Sequence, residues 1–320
     1  MLQRTVERVL PLKPERIMVV TNRLQAEETA AQLAYLTGVP IEVIAEPVGR
    51  NTAPAVGLAA RLAAATPEAV MAVLPADHVI PDAEQFCELL LQGETAAREG
   101  NLVTLGITPT RPETGYGYIE VAAGSAGQGP FPVSRFVEKP NRERAEQFLV
   151  SGNFYWNSGM FLWRADTILE ELRRFLPDLY QGLKGIEVSA AGTAFGEQID
   201  AFYRDAPVES IDFGVMERSA RVVMIPASFG WSDVGSWSAL PEVLAGDDKG
   251  NVIINAAGEV LTDATGCLAY GDGKMVALLG VSDLIVVNTP DALLVCPRDR
   301  AQEVKGIVGE LQCRGLKEYL

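Results

Sequence analysis

The stretch Val70-Met71-Ala72-Val73-Leu74-Pro75-Ala76-Asp77-His78 joins a short apolar run to a proline and a carboxylate. A non-alternating apolar run of this length is typical of a strand that is buried on both faces. Pro75 ends the strand because proline has no N–H to give to a sheet ladder. Asp77 is therefore predicted just past the carboxyl end of a central strand, at the edge where open α/β sheets bind ligands. Its carboxylate is suited either to binding Mg²⁺ or to capping a helix.

Strands and helices alternate around that run. Further strands are predicted at 16–21, 41–45 and 102–107, and helices at 2–10, 24–36 and 83–99. This alternation predicts an α/β fold with a doubly wound, mixed but mostly parallel sheet.

The pattern changes after residue 245. Short β-rich pieces separated by Gly, Asp and Asn turns follow the stretch Gly246-Asp247-Asp248-Lys249-Gly250. They are predicted at 251–254, 266–270, 275–279, 284–288 and 292–296, and a helix is predicted near 299–313. We therefore expect an α/β domain at 1–245 and a small β-helix-like domain with a terminal helix at 246–320.

Composition restricts the functional class. The net charge of −15 argues against nucleic acid or an anionic membrane as a partner. The four cysteines have no CxxC spacing, which predicts reduced thiols and a cytoplasmic location. No apolar run reaches transmembrane length. His78 is the only histidine, so sites built from several histidines are excluded.

Two turns and one strand end carry charged side chains suited to phosphate chemistry. Asp77 and Asp233 both follow apolar segments in Gly- or Pro-flanked turns, and together they could hold one Mg²⁺ that carries nucleotide phosphates. The alternative for Asp233 is a turn residue that accepts local amide hydrogen bonds. Lys139 is a point charge suited to a monoester phosphate, or else a solvated surface lysine.

Other candidates suit a sugar and a nucleotide. Gly115 and Tyr116 combine close backbone approach with an apolar ring face, although a plain turn also explains them. Asn157 is able to bind sugar hydroxyls or to cap a turn. Arg50 and Asn51 precede a helix N-terminus, where an anion or a base edge can bind. Taken together, these residues predict a crevice for a nucleotide, a metal and a sugar phosphate.

Six segments occur in an order that closely resembles the mannose-1-phosphate guanylyltransferase (GDP-mannose pyrophosphorylase) family. They are Glu46-Pro47 with Arg50-Asn51-Thr52-Ala53-Pro54-Ala55, Leu74-Pro75-Ala76-Asp77-His78, Gly115-Tyr116-Gly117-Tyr118-Ile119, Phe136-Val137-Glu138-Lys139-Pro140, Trp156-Asn157-Ser158-Gly159-Met160-Phe161 and Trp231-Ser232-Asp233-Val234-Gly235-Ser236-Trp237. The resemblance covers about residues 1–240. It implies a Rossmann-like nucleotidyltransferase fold, and the tail is similar to the family's C-terminal β-helix-like domain.

The resemblance also implies a reaction, in which GTP and mannose 1-phosphate give GDP-mannose and pyrophosphate with Mg²⁺ as cofactor. It implies roles for residues of each predicted subsite: Asp77 and Asp233 at the metal, Lys139 at the sugar phosphate, Glu138, Asn157, Gly115 and Tyr116 at the sugar, and Arg50 and Asn51 at the nucleotide. His78 is expected to be a structural neighbour of the metal site. A homodimer is plausible through an exposed β edge in the tail.

The chain departs from the family at its start, where the family has a strand and a glycine-rich triphosphate loop. We expect a truncated form with an open seam in the sheet and little or no turnover. Two alternatives to the transferase remain. One is a catalytically silent homologue that binds a sugar nucleotide and regulates a partner, and the other is a pyrophosphorylase for another hexose 1-phosphate.

Overall fold

Residues 1–66, 68–125, 127–187 and 192–319 are described in a computed structural model. The chain divides into two units, Met1–Gly230 and Trp231–Leu320. The domain boundary at 245 that the sequence indicates stays a prediction. The segment after Gly230 belongs with the second unit because Trp237 and Leu240 pack against that unit's apolar cluster.

The first unit contains helices and strands in close alternation. Its helices are α1 (Leu2–Val9), α2 (Arg23–Leu33), α3 (Thr52–Ala63), α4 (Ala83–Arg98), α5 (Arg142–Ser151), α6 (Ala165–Phe175), α7 (Pro177–Leu183) and α8 (Gly192–Asp205). Its strands are β1 (Ile17–Asn22), β2 (Ile41–Glu46), β3 (Val70–Val73), β4 (Leu102–Ile107), β5 (Tyr118–Val121), β6 (Phe131–Val137), β7 (Phe154–Arg164) and β8 (Val222–Ala227).

A six-stranded mixed sheet in the order β3-β7-β4-β8-β6-β5 forms the centre of the first unit. β4 and β8 are parallel, whereas the long strand β7 runs antiparallel to both β3 and β4. β1 and β2 form a separate parallel pair. The predicted α/β class with a mixed sheet is confirmed. The expectation that parallel pairing dominates is wrong for this sheet, because β4 with β8 is its one parallel pair among the described residues.

The position of β3 corrects one prediction. We expected a central strand buried on both faces, but β3 lies at the edge of the six-stranded sheet and Ala72 is exposed. Within the described residues β3 pairs with β7 alone, and β1 pairs with β2 alone. Within the described residues, β3 and β1 are therefore edge strands of their respective sheets.

Helices cover both faces of the sheet, as alternate side chains of β7 show. Phe161 and Trp163 pack in the cluster that α3 and α6 supply. Leu162 points the other way, and a Cβ added to Gly93 of α4 would lie 3.0 Å from it. Because successive residues of a strand face opposite sides, two helical layers enclose β7.

Asparagine and aspartate side chains begin several helices at the ends of strands and turns. The side chains of Asn22, Asn51, Asp82 and Asn141 accept hydrogen bonds from the first-turn amides of α2, α3, α4 and α5. Each such cap stabilises a helix by about 1 kcal/mol. These caps determine where the four helices begin.

The second unit is built from short parallel strands stacked in coils. They are β9 (Val252–Ile254), β10 (Gly258–Thr262), β11 (Leu268–Tyr270), β12 (Met275–Leu279) and β13 (Leu284–Asn288), and β14 (Leu293–Pro297) pairs antiparallel with β13. Helices α9 (Leu240–Val243) and α10 (Val304–Cys313) flank them. The sequence missed β10, and it started the terminal helix early, since Arg298–Glu303 is a 3₁₀ segment.

Register gives the repeat length that the sequence did not reveal. Partner residues in successive coils are 16 or 17 positions apart, as Val252 with Leu268 and Gly258 with Met275 show. The buried amide of Asn251 donates to the carbonyl of Ala264 at 3.0 Å. The predicted β-helix-like domain is therefore confirmed.

The cysteines and helices give two further findings. Cys87, Cys267, Cys296 and Cys313 are free thiols. In the parts of the chain that the structure describes, no helix is both long enough and apolar enough to span a bilayer.

Candidate active site

Asp77 lies in an exposed turn that directly follows β3, as predicted from Pro75. Two side chains of helix α1 donate hydrogen bonds to the backbone of this turn, one on each side of Asp77. The hydroxyl of Thr5 donates to the carbonyl of Ala76 at 3.1 Å, and the guanidinium of Arg8 donates to the carbonyl of His78 at 3.5 Å. The backbone around the carboxylate is therefore positioned by a helix far away in sequence.

Three elements bring the predicted sugar residues together. A Cβ added to Gly117 would lie 3.3 Å from Oε2 of Glu138 and 3.6 Å from Cβ of Asn157. The amide of Asn157 donates to the carbonyl of Gly117 at 2.8 Å. A side chain at 117 would push the Glu138 carboxylate aside by a few tenths of an ångström. The loop before β5, the end of β6 and the middle of β7 thus meet at one place.

The Asn157 side chain is bound at both ends. Its Nδ2 donates to Oδ1 of Asp212 at 2.8 Å, and its Oδ1 accepts from the amide of Gly159 at 3.1 Å. Asp212 begins a single π-helical turn, Asp212–Met216, a feature that is frequent at functional sites. Burial raises the pKa of Asp212, and the charge of Glu138 raises it further.

A network around Glu113 orders the loop that contains Gly115 and Tyr116. Oε2 of Glu113 accepts from Nε of Arg111 at 3.1 Å, and its Oε1 accepts from the amide of Gly115 at 2.9 Å. The guanidinium of Arg111 also lies 5.2 Å from the ring centre of Trp156. The Tyr116 ring meets Trp156 edge to face, with ring centres 5.3 Å apart. The loop is therefore attached to the strand that carries Asn157.

Lys139 lies immediately after β6 with a φ of 28°, a conformation that is uncommon for residues other than glycine. Its Nζ is 3.5 Å from Oε1 of Glu138, and 59% of its side chain is exposed. The positive charge of Lys139 is thus accessible to solvent beside Glu138, one of the predicted sugar-binding residues.

Arg50 and Asn51 have structural contacts in addition to their predicted role. The guanidinium of Arg50 donates to the carbonyls of Tyr203 and Arg204, at 3.0 and 2.9 Å. Asn51, with a φ of 66°, caps α3 through its side chain. Their role at the nucleotide stays a prediction.

Asp233 belongs to the second unit and lies in a tight turn. Its Oδ1 accepts from the amide of Gly235 at 2.9 Å. Val234 has a φ of 47°, which is strained for a β-branched residue. The turn thus holds the carboxylate through local backbone, as the alternative interpretation expected, and the pairing of Asp233 with Asp77 stays a prediction.

Sequence analysis missed Asp212, Glu113 and Arg111. Asp212 lies in Ser210-Ile211-Asp212-Phe213-Gly214-Val215-Met216-Glu217, whose irregular pattern predicted neither helix nor strand. That irregularity, with a carboxylate among apolar residues, was the available signal. Glu113 and Arg111 flank Pro112 in the predicted loop, and nothing in their spacing points to Trp156.

The donor chemistry of Asp77 and Asp233 fits Mg²⁺, which prefers carboxylate oxygens. Across residues 1–66, 68–125, 127–187 and 192–319, no group of three or more His, Cys, Asp and Glu side chains is arranged to hold a metal. Phosphate and water oxygens would therefore have to complete the coordination, which is usual for Mg²⁺.

Comparison with known proteins agrees with this fold. The family model for nucleotidyl transferases matches residues 1–250, and that for the MannoseP isomerase/GMP-like β-helix domain matches residues 258–311. The chain therefore belongs to the nucleotidyl transferase family.

Two relatives that match the whole of this chain are mannose-1-phosphate guanylyltransferases. The chain is 43% identical over 323 residues to the mannose-1-phosphate guanylyltransferase of Klebsiella pneumoniae and 42% identical over 323 residues to that of Escherichia coli, covering 100% of this chain and 68% of each relative.

Two solved structures share the fold. A protein from Thermus thermophilus, described as a mannose-1-phosphate geranyltransferase, is 38% identical with a TM-score of 0.83, over 97% of this chain and 89% of that one. A mannose-6-phosphate isomerase from Helicobacter pylori is 27% identical with a TM-score of 0.62, over 72% of this chain and 90% of that one.

Proposed function

We propose that this chain transfers a guanylyl group from GTP to mannose 1-phosphate, giving GDP-mannose and pyrophosphate. The observation that carries the proposal is the meeting of Glu138 and Asn157 at Gly117, beside the accessible charge of Lys139. That arrangement occurs in a chain related over its whole length to mannose-1-phosphate guanylyltransferases.

The reaction is an in-line displacement. An oxygen of mannose 1-phosphate forms a bond to the α-phosphorus of GTP, and the bond from that phosphorus to the β-phosphate oxygen breaks. The attacking phosphate is already an anion, so no side chain has to act as a base. Lys139 offsets its charge, Glu138 and Asn157 orient the sugar, and Arg50 and Asn51 lie on the nucleotide side. Positioning and charge neutralisation supply the catalysis.

Asp77 and Asp233 would hold the Mg²⁺ in this proposal. When bound, the ion would supply positive charge that offsets the negative charge developing on the phosphates during the displacement. Thr5 and Arg8 hold the backbone on either side of Asp77, which keeps its carboxylate at the sheet edge.

Pyrophosphate release with GTP, mannose 1-phosphate and Mg²⁺ tests the function. We expect Asp77→Asn and Asp233→Asn each to lower the rate by about a hundredfold or more. The matched control is Asp82→Asn, which removes a nearby charge while an amide oxygen keeps the cap on α4. Wild-type rates in both site variants would reject the metal role.

Substrate exchange separates this proposal from its alternatives. Replacing mannose 1-phosphate by glucose 1-phosphate, or GTP by ATP, should lower kcat/KM strongly. An equal or higher kcat/KM with either replacement would assign the chain to another sugar or base. Binding of GDP-mannose without any pyrophosphate release would identify a silent, regulatory homologue.

Compartment and assembly are part of the same proposal. We place the reaction in the cytoplasm because all four cysteines are free thiols. The homodimer expected from the sequence stays a prediction; exposed Met275 and Leu279 on β12 are apolar surface suited to it. Sedimentation velocity would show which assembly forms.

A further inference from the structure

The hydrogen bonds of Asn157 determine which way its amide faces. The backbone N–H of Gly159 can only donate, so the atom that accepts from it must be the amide oxygen of Asn157. The amide nitrogen therefore points to Asp212 and donates one of its two hydrogens there. Among the described residues the second N–H of this amide has no acceptor, so it is the donor that Asn157 still has available.

We propose that Asp212 is a positioning residue that fixes this orientation, so that Asn157 offers an N–H to a sugar hydroxyl of the substrate. The inference rests on the proposed function and deepens it, because it assigns the hydrogen-bond polarity of the sugar subsite. The bound hydroxyl would accept from Asn157, while the carboxylate of Glu138 can only accept from a hydroxyl.

The segment that carries Asp212 is anchored independently of Asn157. The amide of Ile211 donates to the hydroxyl of Thr52 at 2.9 Å, and the amide of Phe213 donates to the hydroxyl of Ser210 at 3.1 Å. The amide of Ala53 donates to the carbonyl of Glu209 at 3.0 Å. Asp212 therefore has a position of its own, which it can impose on a partner 55 positions away.

Burying an ionised carboxylate costs free energy, so a buried aspartate is expected to have a specific partner or role. Burial raises the pKa of Asp212, and the charge of Glu138 adds to the effect. Glu217, one turn further on, also has a pKa raised by burial and then by Glu138. The amide nitrogen of Asn157 nevertheless donates to Asp212 rather than to Glu217. Glu217 therefore provides a control for charge alone.

Calorimetric affinities for GDP-mannose and for GDP test the inference, because only the first ligand carries the sugar. We expect Asp212→Ala to weaken GDP-mannose binding about tenfold and to change GDP binding less than about twofold. Asp212→Asn keeps an acceptor for Asn157 and should restore most of the affinity. Glu217→Gln should leave both affinities within about twofold.

The outcomes separate the two levels of the proposal. A wild-type protein that binds GDP-mannose no better than GDP would reject the sugar subsite, and the proposed function with it. A wild-type preference for GDP-mannose that survives Asp212→Ala would overturn the role of Asp212 alone.

Exchanging the two residues provides a second test that does not depend on the alanine variant folding. Asn157→Asp alone places two carboxylates at the 2.8 Å contact and should lower the thermal midpoint. Adding Asp212→Asn rebuilds the pair with reversed polarity and should recover that midpoint. GDP-mannose affinity should stay low, because position 157 then has no N–H to offer. Recovery of affinity in the exchanged protein would overturn the inference.

Discussion

The hydroxyl of Thr5 donates a hydrogen bond to the carbonyl oxygen of Ala76 across 71 positions of sequence. Thr5 is 8% exposed, and it lies on the helix that opens the chain. The residue after Ala76 is Asp77, the predicted metal carboxylate. Helix α1 therefore holds the two backbone positions that flank Asp77.

Thr5→Val should lower both stability and turnover. The change keeps the shape of the side chain and removes the hydrogen bond, at a cost of about 1 kcal/mol in the free energy of unfolding. Urea denaturation measures the first effect, and pyrophosphate release measures the second. Thr95→Val is the control because Thr95 is exposed and its hydroxyl donates within α4 itself, to the carbonyl of Leu91 at 3.1 Å. Equal losses in both variants would remove the special role of Thr5.

Lys139→Ala should raise KM for mannose 1-phosphate by about tenfold or more, and KM for GTP much less. The reason is that Lys139 places an accessible charge beside Glu138, on the side of the predicted sugar phosphate. Stability should change little because exposed ion pairs contribute little. Arg142→Ala on the neighbouring helix is the control for loss of positive charge. A larger rise in KM for GTP would contradict the assignment.

Gly235→Ala should weaken the response to Mg²⁺. An added Cβ would lie 2.8 Å from Oδ2 of Asp233, so the carboxylate would have to move. We expect the Mg²⁺ concentration for half-maximal rate to rise several-fold, with the free energy of unfolding nearly unchanged. Gly306→Ala meets nothing within 4 Å and serves as the control. An unchanged Mg²⁺ response would make Asp233 a turn residue.

Asp212→Asn should change how stability depends on pH. Burial raises the pKa of Asp212, so the folded protein holds this proton more tightly than the unfolded chain does. The stabilisation by the bound proton is present at low pH and is lost as pH rises through the folded-state pKa, about 1.4 kcal/mol per pKa unit. Asparagine at position 212 does not titrate. The free energy of unfolding of the variant, relative to that of the wild type, should therefore increase as pH rises.

The pKa of Asp166 is shifted in the opposite direction to that of Asp212, so Asp166→Asn is a control for general effects of acid on stability. A hydrogen bond from Arg164 lowers the pKa of Asp166, so its contribution to stability is present above the unfolded pKa and is lost as pH falls. Asp166→Asn should therefore be less stable than the wild type at neutral pH, with the difference vanishing in acid. Chemical denaturation across the acid range measures both variants. Parallel pH profiles for the two variants would contradict the assigned shifts.

Local patterns determined much of the fold. The apolar run before Pro75 encodes β3 and the turn of Asp77, and Asn51 encodes the start of α3. The order of six motifs was enough to indicate the family. The gaps between strands of the second unit were visible, but β10 was missed because its exposed residues Glu259, Val260 and Thr262 lack a buried strand's apolar pattern.

Long-range pairing was decided by the tertiary structure. Strand and helix periodicity, helix caps and prolines act over a few residues. Local sequence is therefore enough to predict where strands, helices and turns begin and end. The residues of Val70–Val73 do not indicate that this strand pairs with β7 and lies at the edge of the sheet. The residues around Asn157 do not indicate that its side chain bonds to Asp212. Such contacts form because whole elements compete to bury apolar surface and satisfy polar groups together. That competition placed Asp212 against Asn157, a meeting that only the folded chain reveals.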